Sequence, residues 1–265
     1  RKNKMIQNQT YFGSEEFHKS VSDLSQKAGM PISFIIKPLE GGRNNRVFSI
    51  NYNNSKKLLL KAYFQHPNDQ RNRVKAEYLF LDFAWANNIR CVPKPYAADF
   101  QNNLALYEFL EGNKLSFLDI SEEKIKKALK FFIDINKNKK LQQAKNLPIA
   151  SEACFSIKDH INLVEKRIER LKKIKNDSEI NKKTIIFVQE DLSKAWERSI
   201  KHADEFMYKH NLKRDKEISE KDRCISPSDF GFHNTLLDSS GKLFFIDFEY
   251  SGWDDPAKMV CDFFC

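Results

Sequence analysis

Apolar residues recur at helical spacing at Phe17, Val21, Leu24 and Ala28, behind Ser14-Glu15-Glu16 and ahead of Gly29 and Pro31. Ser followed by acidic residues opens a helix and Gly or Pro closes one, so this stripe predicts an amphipathic helix. The pattern then shortens. Residues 33–39, 47–50, 58–63, 96–99 and 104–109 are brief apolar runs bounded by Gly, Pro and Asn, and they predict strands. Among them, residues 68–88 carry Val74, Leu81 and Trp85 at helical spacing, which predicts one long helix within the strand-rich part. From residue 121 onward helical spacing takes over, first through Ile125, Leu129, Phe132 and Asn136. It continues through Ile157, Ile161, Val164, Ile168 and Leu171, then Leu192, Trp196, Ser199, Ala203, Phe206 and His210. The middle stripe alternates steps of four and three, but it is too short for a coiled coil and packing within its own lobe is preferred. Strands return at 235–237 and 243–248, joined across Asp238-Ser239-Ser240-Gly241, which is hairpin-turn chemistry. Asp254-Asp255-Pro256 then opens a last helix.

The hairpin changes the picture, because it folds its ends together and brings Asn234 close to Asp247. Asp229 lies just upstream on the same rim. Three oxygen-bearing side chains around one small space suit Mg²⁺ and a phosphoryl group in flight. Upstream, Lys61 interrupts an otherwise apolar strand. Such a cation either snorkels at a sheet edge or is aimed at an anion. The connection Glu40-Gly41-Gly42-Arg43-Asn44-Asn45-Arg46 between two strands would let backbone N–H groups approach phosphates closely, although the same residues also mark ordinary hairpin turns.

Asp229-x-x-x-x-Asn234, a hairpin, and Asp247-Phe248-Glu249 together resemble the aminoglycoside phosphotransferase and choline kinase family, within the protein-kinase-like fold. The resemblance implies an α+β, two-lobed architecture. Residues 1–110 would form a nucleotide-binding lobe with an antiparallel sheet and one long helix, and 111–265 a mainly helical lobe. It implies ATP, with GTP as an option, and Mg²⁺ as cofactors. Lys61 would hold the α/β-phosphates and Glu77 would hold Lys61, with Gly41, Gly42, Asn44 and Asn45 in the phosphate-binding connection. Tyr107 to Gly112 would be the hinge, contacting adenine through the main chain at Glu108 and Leu110. Asp229 would be the base that takes the acceptor's proton, Asn234 and Asp247 the Mg²⁺ ligands, and Glu249 a further metal ligand. Asp262 would brace the catalytic loop.

The implied activity is that of a small-molecule kinase, moving the γ-phosphoryl group of ATP to a hydroxyl on an amino alcohol, a sugar or an aminoglycoside-like molecule. Two departures stand out. The family's H-x-D frame reads Pro227-Ser228-Asp229 here, and Asp247-Phe248-Glu249 lacks the Gly of D-F-G. The second favours the small-molecule branch over protein kinases. The first leaves an alternative open, a nucleotide-binding pseudokinase or a truncated kinase fragment.

Composition bounds these readings. The 265 residues suffice for one large domain or two lobes, and no apolar run approaches the ~18 residues of a membrane span. The amino end lacks the apolar segment of a signal peptide. Five cysteines with no C-x-x-C predict reduced thiols, no structural zinc and a cytoplasmic protein. The net charge of +9 raises the question of nucleic acid, but Lys and Arg are interspersed with Asp and Glu along the helical stretches, as on solvated faces. Nucleic acid and membrane are therefore disfavoured as partners, and the positive balance suits an anionic nucleotide equally well. His160, His202 and His210 lack metal-ligand spacing and read as structural, while His233 falls between Asp229 and Asn234. The chain ends at Cys265 within a helical stretch, which is read as an incomplete helical lobe.

Overall fold

The computed structural model describes residues 12–40, 45–65, 69 and 71–264. Helix α1 (Glu15–Lys27) begins where the sequence predicts: the Ser14 hydroxyl accepts a hydrogen bond from the Phe17 N–H at 3.2 Å. Its stripe of Phe17, Val21 and Leu24 is buried. Five strands follow, β1 (Phe34–Pro38), β2 (Arg46–Tyr52), β3 (Lys57–Ala62), β4 (Pro95–Asp99) and β5 (Leu104–Glu108). They form one antiparallel sheet in the order β1-β2-β3-β5-β4.

The period-two alternation of β3 decides where its lysine goes. Leu58, Leu60 and Ala62 join Phe17, Val21, Leu24, Phe48, Ile50, Leu104 and Leu106 in one apolar core. Lys61 therefore belongs to the opposite face of a central strand, beside Val47 of β2 and Ala105 of β5. Helix α2 (Arg73–Ala86) starts later than the apolar spacing suggests, at an Asn72 cap whose side chain accepts from the Lys75 N–H. It is buried on most sides, and Arg73 and Glu77 are among its buried residues.

After a short strand β6 (Asn113–Lys114), helix α3 (Glu122–Lys137) buries Ala128, Phe131 and Ile135. The predicted face was one residue away: Ile125 and Leu129 are exposed, because two adjacent apolar stripes run along this helix and only one is covered. The covered stripe meets a cluster of rings. Phe131 stacks on Phe245 at 4.9 Å and Phe80 on Phe248 at 4.7 Å, with Phe230 5.5 Å from Phe131. The predicted hairpin is β8 (Thr235–Leu237) against β9 (Leu243–Phe245), and β6 extends it to three strands. Strand β9 stops at Phe245, short of the predicted 248, and Asp247 lies in the left-handed region at φ +69°.

These elements belong to one compact unit, which takes in residues up to Ser151, Ile225–Gly252 and from Met259 onward. A second unit comprises Glu152–Cys224 and Trp253–Lys258. Its helices α4 (Ile157–Leu171), α5 (Glu179–Phe187) and α6 (Ser193–Lys209) include the two later predicted stripes, and a π-helical stretch (Val188–Leu192) joins α5 to α6. Helix α5 has no buried residue, so no apolar stripe announced it. Strands β7 (Cys224–Ser226) and β10 (Gly252–Asp254) and helix α7 (Pro256–Phe264) complete the chain order. His160 pairs with Asp255 at 3.0 Å. No helix among the described residues is long and apolar enough to cross a membrane.

One glycine fixes the chain just beyond the ring cluster. Gly252 lies at φ +155°, and an added Cβ would stand 2.6 Å from the Ala150 nitrogen and 2.8 Å from the Ile149 carbonyl carbon. Backbone cannot swing aside as a side chain can. Gly252→Ala is expected to cost at least about 1–3 kcal/mol, read as a lowered urea midpoint.

Candidate active site

Lys61, Glu77 and Asp247 converge within the first unit. The Lys61 Nζ lies 2.7 Å from Glu77 Oε2 and 2.5 Å from Asp247 Oδ1. β3 supplies the cation from the centre of the sheet, α2 supplies Glu77 from its first half, and the turn after β9 supplies Asp247. Burial alone would push the Lys61 pKa down, but Glu77, Asp247 and Glu249 outweigh it and hold the ammonium well above its ordinary range. Lys61 is therefore a fixed cation in a dry setting, as an anion-binding lysine needs to be.

Glu77 is itself held from a second side. Tyr63 O–H donates to Glu77 Oε2 at 2.8 Å, and the Tyr107 hydroxyl lies 2.7 Å from that of Tyr63. Since Tyr63 spends its proton on Glu77, Tyr107 is the donor of the second bond. Each of these buried tyrosines sits in an apolar run, where a ring side chain is ordinary core. Their one signal was the i,i+2 relation of Tyr63 to Lys61, which puts both on one face of the strand.

The hairpin does what its sequence predicts. The Ile246 N–H bonds the Asn234 carbonyl at 3.0 Å, closing the hairpin ends beside Asp247. Asn234 Nδ2 donates to the Asp229 carbonyl oxygen at 2.9 Å, which leaves its amide oxygen as the atom able to ligate. Ser228 and Asp229 lie at φ +48° and +37°, sparsely populated values for residues other than glycine. Asp229 is half exposed, and His233 Nε2 sits 3.3 Å from its Oδ1. Asn136 of α3 anchors the approach to this loop by bonding both the N–H and the C=O of Ile225.

Asn45 and Glu249 meet elsewhere. The Asn45 amide donates to Glu249 Oε2 and accepts the Phe64 N–H at 3.1 Å. The Arg73 guanidinium reaches Glu249 Oε1 at 3.3 Å and Asp69 at 2.9 Å. Both oxygens of the buried Glu249 are thus engaged, and it could ligate a metal only by releasing one partner. Sequence reasoning missed Arg73, whose signal was a second ionisable residue one turn before Glu77 on the same helix face. Glu108 ends β5 and exchanges hydrogen bonds with the Lys94 backbone through its N–H and its carboxylate. Leu110 follows it, half-buried. Gly41, Gly42 and Asn44 lie outside the described residues.

The donor set suits Mg²⁺. That ion is commonly bound by one or two carboxylates plus substrate phosphates and waters. Asp247 is part-exposed and keeps Oδ2 without a hydrogen-bond partner among the described residues, and the Asn234 amide oxygen is likewise left able to ligate. No three His, Cys, Asp or Glu side chains converge among the described residues, as a closed all-protein metal cage would require.

The sequence profile of the choline/ethanolamine kinase family matches residues 36–265. The chain belongs to the choline/ethanolamine kinase family. No curated protein matches the chain. Among solved structures it is similar to the Plasmodium vivax ethanolamine kinase, with a TM-score of 0.52 at 22% identity over 87% of this chain and 60% of that one. It is also similar to spectinomycin phosphotransferase in complex with ADP and spectinomycin, with a TM-score of 0.54 at 12% identity over 83% and 65% of the two chains. An amicoumacin kinase bound to AMP-PNP and Ca²⁺ gives 0.53 at 12% identity over 97% and 70%. At these identities the likeness establishes the protein-kinase-like fold. This choline/ethanolamine kinase family member spans 60% and 65% of the length of the first two.

Proposed function

We propose that this choline/ethanolamine kinase family member is a small-molecule kinase that moves the γ-phosphoryl group of ATP, or of GTP, to a hydroxyl of a small acceptor. The observation that carries the reading is the buried Lys61 ammonium held between Glu77 and Asp247 in the same unit as the Asp229–Asn234 loop. A structural ion pair would need one carboxylate. A cation shared with a part-exposed second carboxylate is suited to an anion arriving from the open side.

In this reading Lys61 binds the α/β-phosphates and Glu77 keeps its ammonium in place. Asn234 and Asp247 would hold Mg²⁺, which when bound offsets charge on the β- and γ-phosphates. Asp229 aligns the acceptor oxygen in line with the γ-phosphorus and takes its proton, while the ADP oxygen departs on the far side. Catalysis is then positioning and electrostatics, with no covalent enzyme intermediate. Residues 1–110 act as the nucleotide-binding lobe, with Gly41, Gly42, Asn44 and Asn45 near the phosphates and the Glu108 and Leu110 main chain at the base. Asn45 would serve there through its backbone, since its side chain is engaged with Glu249 and Phe64. Glu249 is a metal ligand only if it leaves Arg73 or Asn45. Family membership puts amino alcohols such as choline and ethanolamine first among acceptors, ahead of sugars and aminoglycoside-like molecules. A cytoplasmic setting fits both these substrates and the free thiols.

The test is the melting temperature with ATP or GTP, each with and without Mg²⁺, in the wild type and in Asp247→Ala. Nucleotide about 100-fold above Kd adds about 2.7 kcal/mol, a rise of roughly 5–10 °C at this size. The reading predicts a Mg²⁺-dependent rise that Asp247→Ala loses. No rise with either nucleotide would overturn it.

A further inference from the structure

His233 stands between the proposed base and a proposed metal ligand, and the proposed transfer does not use it. Its Nε2 lies 3.3 Å from Asp229 Oδ1, and the two side chains are 60% and 51% exposed. Packing does not force them together. An exposed pair at this spacing contributes little to stability, so the contact matters for what it does to Asp229.

Gly231 supplies the second observation. Its φ of 178° is extended and open to any residue, so conformational freedom is not what requires glycine here. Space is. An added Cβ would stand 2.8 Å from His233 Nδ1 and 2.9 Å from Cε1. The imidazole folds back over the bare backbone of residue 231, and that fold-back brings Nε2 to Asp229.

The division of the Asp229 oxygens follows. An ionised carboxylate only accepts hydrogen bonds, so the ring must donate through Nε2–H. Asn234 Nδ2 spends its good hydrogen bond on the Asp229 carbonyl oxygen at 2.9 Å and reaches Oδ2 only at 3.5 Å. Oδ1 is therefore tethered and Oδ2 remains available. Two residues before Asp229 the chain has Pro227, whose side chain has no hydrogen-bond donor to offer the carboxylate.

We propose that His233 is a positioning residue, which fixes the Asp229 carboxylate through Oδ1 so that Oδ2 faces the acceptor hydroxyl. The inference rests on the phosphotransferase reading above. In the transfer, the acceptor O–H proton passes to Oδ2 and the oxygen–phosphorus bond forms. The bond from the γ-phosphorus to the β-phosphate oxygen breaks, and ADP leaves with that electron pair. His233 keeps its own proton throughout.

The test compares His233→Ala, His233→Gln and Gly231→Ala with wild type, following ADP formation from MgATP with ethanolamine, choline or water as acceptor. Gly231→Ala alters neither reacting partner but displaces the ring. It and His233→Ala should lower kcat by roughly 10–100-fold, the scale of an ångström-sized misplacement. KM for MgATP and the MgATP-induced rise in melting temperature should stay within twofold. His233→Gln, which can still donate to Oδ1, should recover most of the rate. Equal kcat in all four proteins would overturn the proposal and leave the phosphotransferase reading standing. So would a rise in KM for MgATP at constant kcat, which would assign the ring to the nucleotide. Wild-type protein that binds MgATP but forms no ADP with any acceptor would overturn both.

Discussion

Asp229→Asn is expected to bind MgATP like the wild type and to turn over about 10²–10⁴-fold more slowly, the range a positioned base contributes. The substitution is conservative in every respect but one. Asn has nearly the same shape, tolerates the positive φ at this position better than most residues, and can still accept from His233 Nε2–H. It cannot take the acceptor's proton. The nucleotide end is untouched, since Lys61 and Asp247 do not depend on residue 229 for their contacts. Steady-state ADP formation and the MgATP-induced rise in melting temperature separate the two effects. Full turnover in Asp229→Asn would remove this residue from the proton's path.

What could be read in the sequence was whatever short-range periodicity or chain order determines. The α1 stripe, the lysine inside an apolar strand, Glu77 in the first half of the next helix, and the hairpin joining Asn234 to Asp247 all follow from local pattern, while the central place of that strand comes only with the sheet order. Pairings between distant residues that look like something else could not be read. Tyr63 and Tyr107 lie in apolar runs, and only the folded sheet brings their hydroxyls to Glu77. Arg73 and Glu249 are 176 positions apart, and no spacing rule links them. Glu249 illustrates how local reading misleads. Its place two residues after Asp247 suggests a metal ligand, yet the left-handed turn at Asp247 lets the two carboxylates part, one toward Lys61 and the other toward Asn45 and Arg73. On α3 the failure was of another kind. Both apolar stripes satisfied the helical period, and only the ring cluster around Phe131 selected between them.

The second large effect concerns Lys61, where stability and function are joined and can be separated. Lys61→Met keeps the length and apolar stem of the side chain but leaves Glu77 buried with only the Tyr63 hydroxyl for a partner. Removing one member of a buried ion pair costs about 3–5 kcal/mol, mostly the cost of the charge left behind. Burial already raises the Glu77 pKa against the opposing pull of Lys61, and loss of the lysine raises it further. The sign of the pH dependence follows. A carboxyl whose folded pKa lies above its unfolded value binds more protons in the folded state, so its contribution is present at low pH and is lost as pH rises through the folded pKa. The deficit of Lys61→Met relative to wild type should therefore shrink as pH is lowered from about 8 toward 5, as urea unfolding at each pH would measure. Adding Glu77→Gln removes the stranded charge and should restore much of the stability at neutral pH, a coupling that the double-mutant cycle reads directly. The MgATP-induced rise in melting temperature should stay absent in both Lys61→Met proteins, because the cation proposed to bind the phosphates is gone from each. If the double variant regained both stability and nucleotide binding, Lys61 would be a structural partner of Glu77 and nothing more.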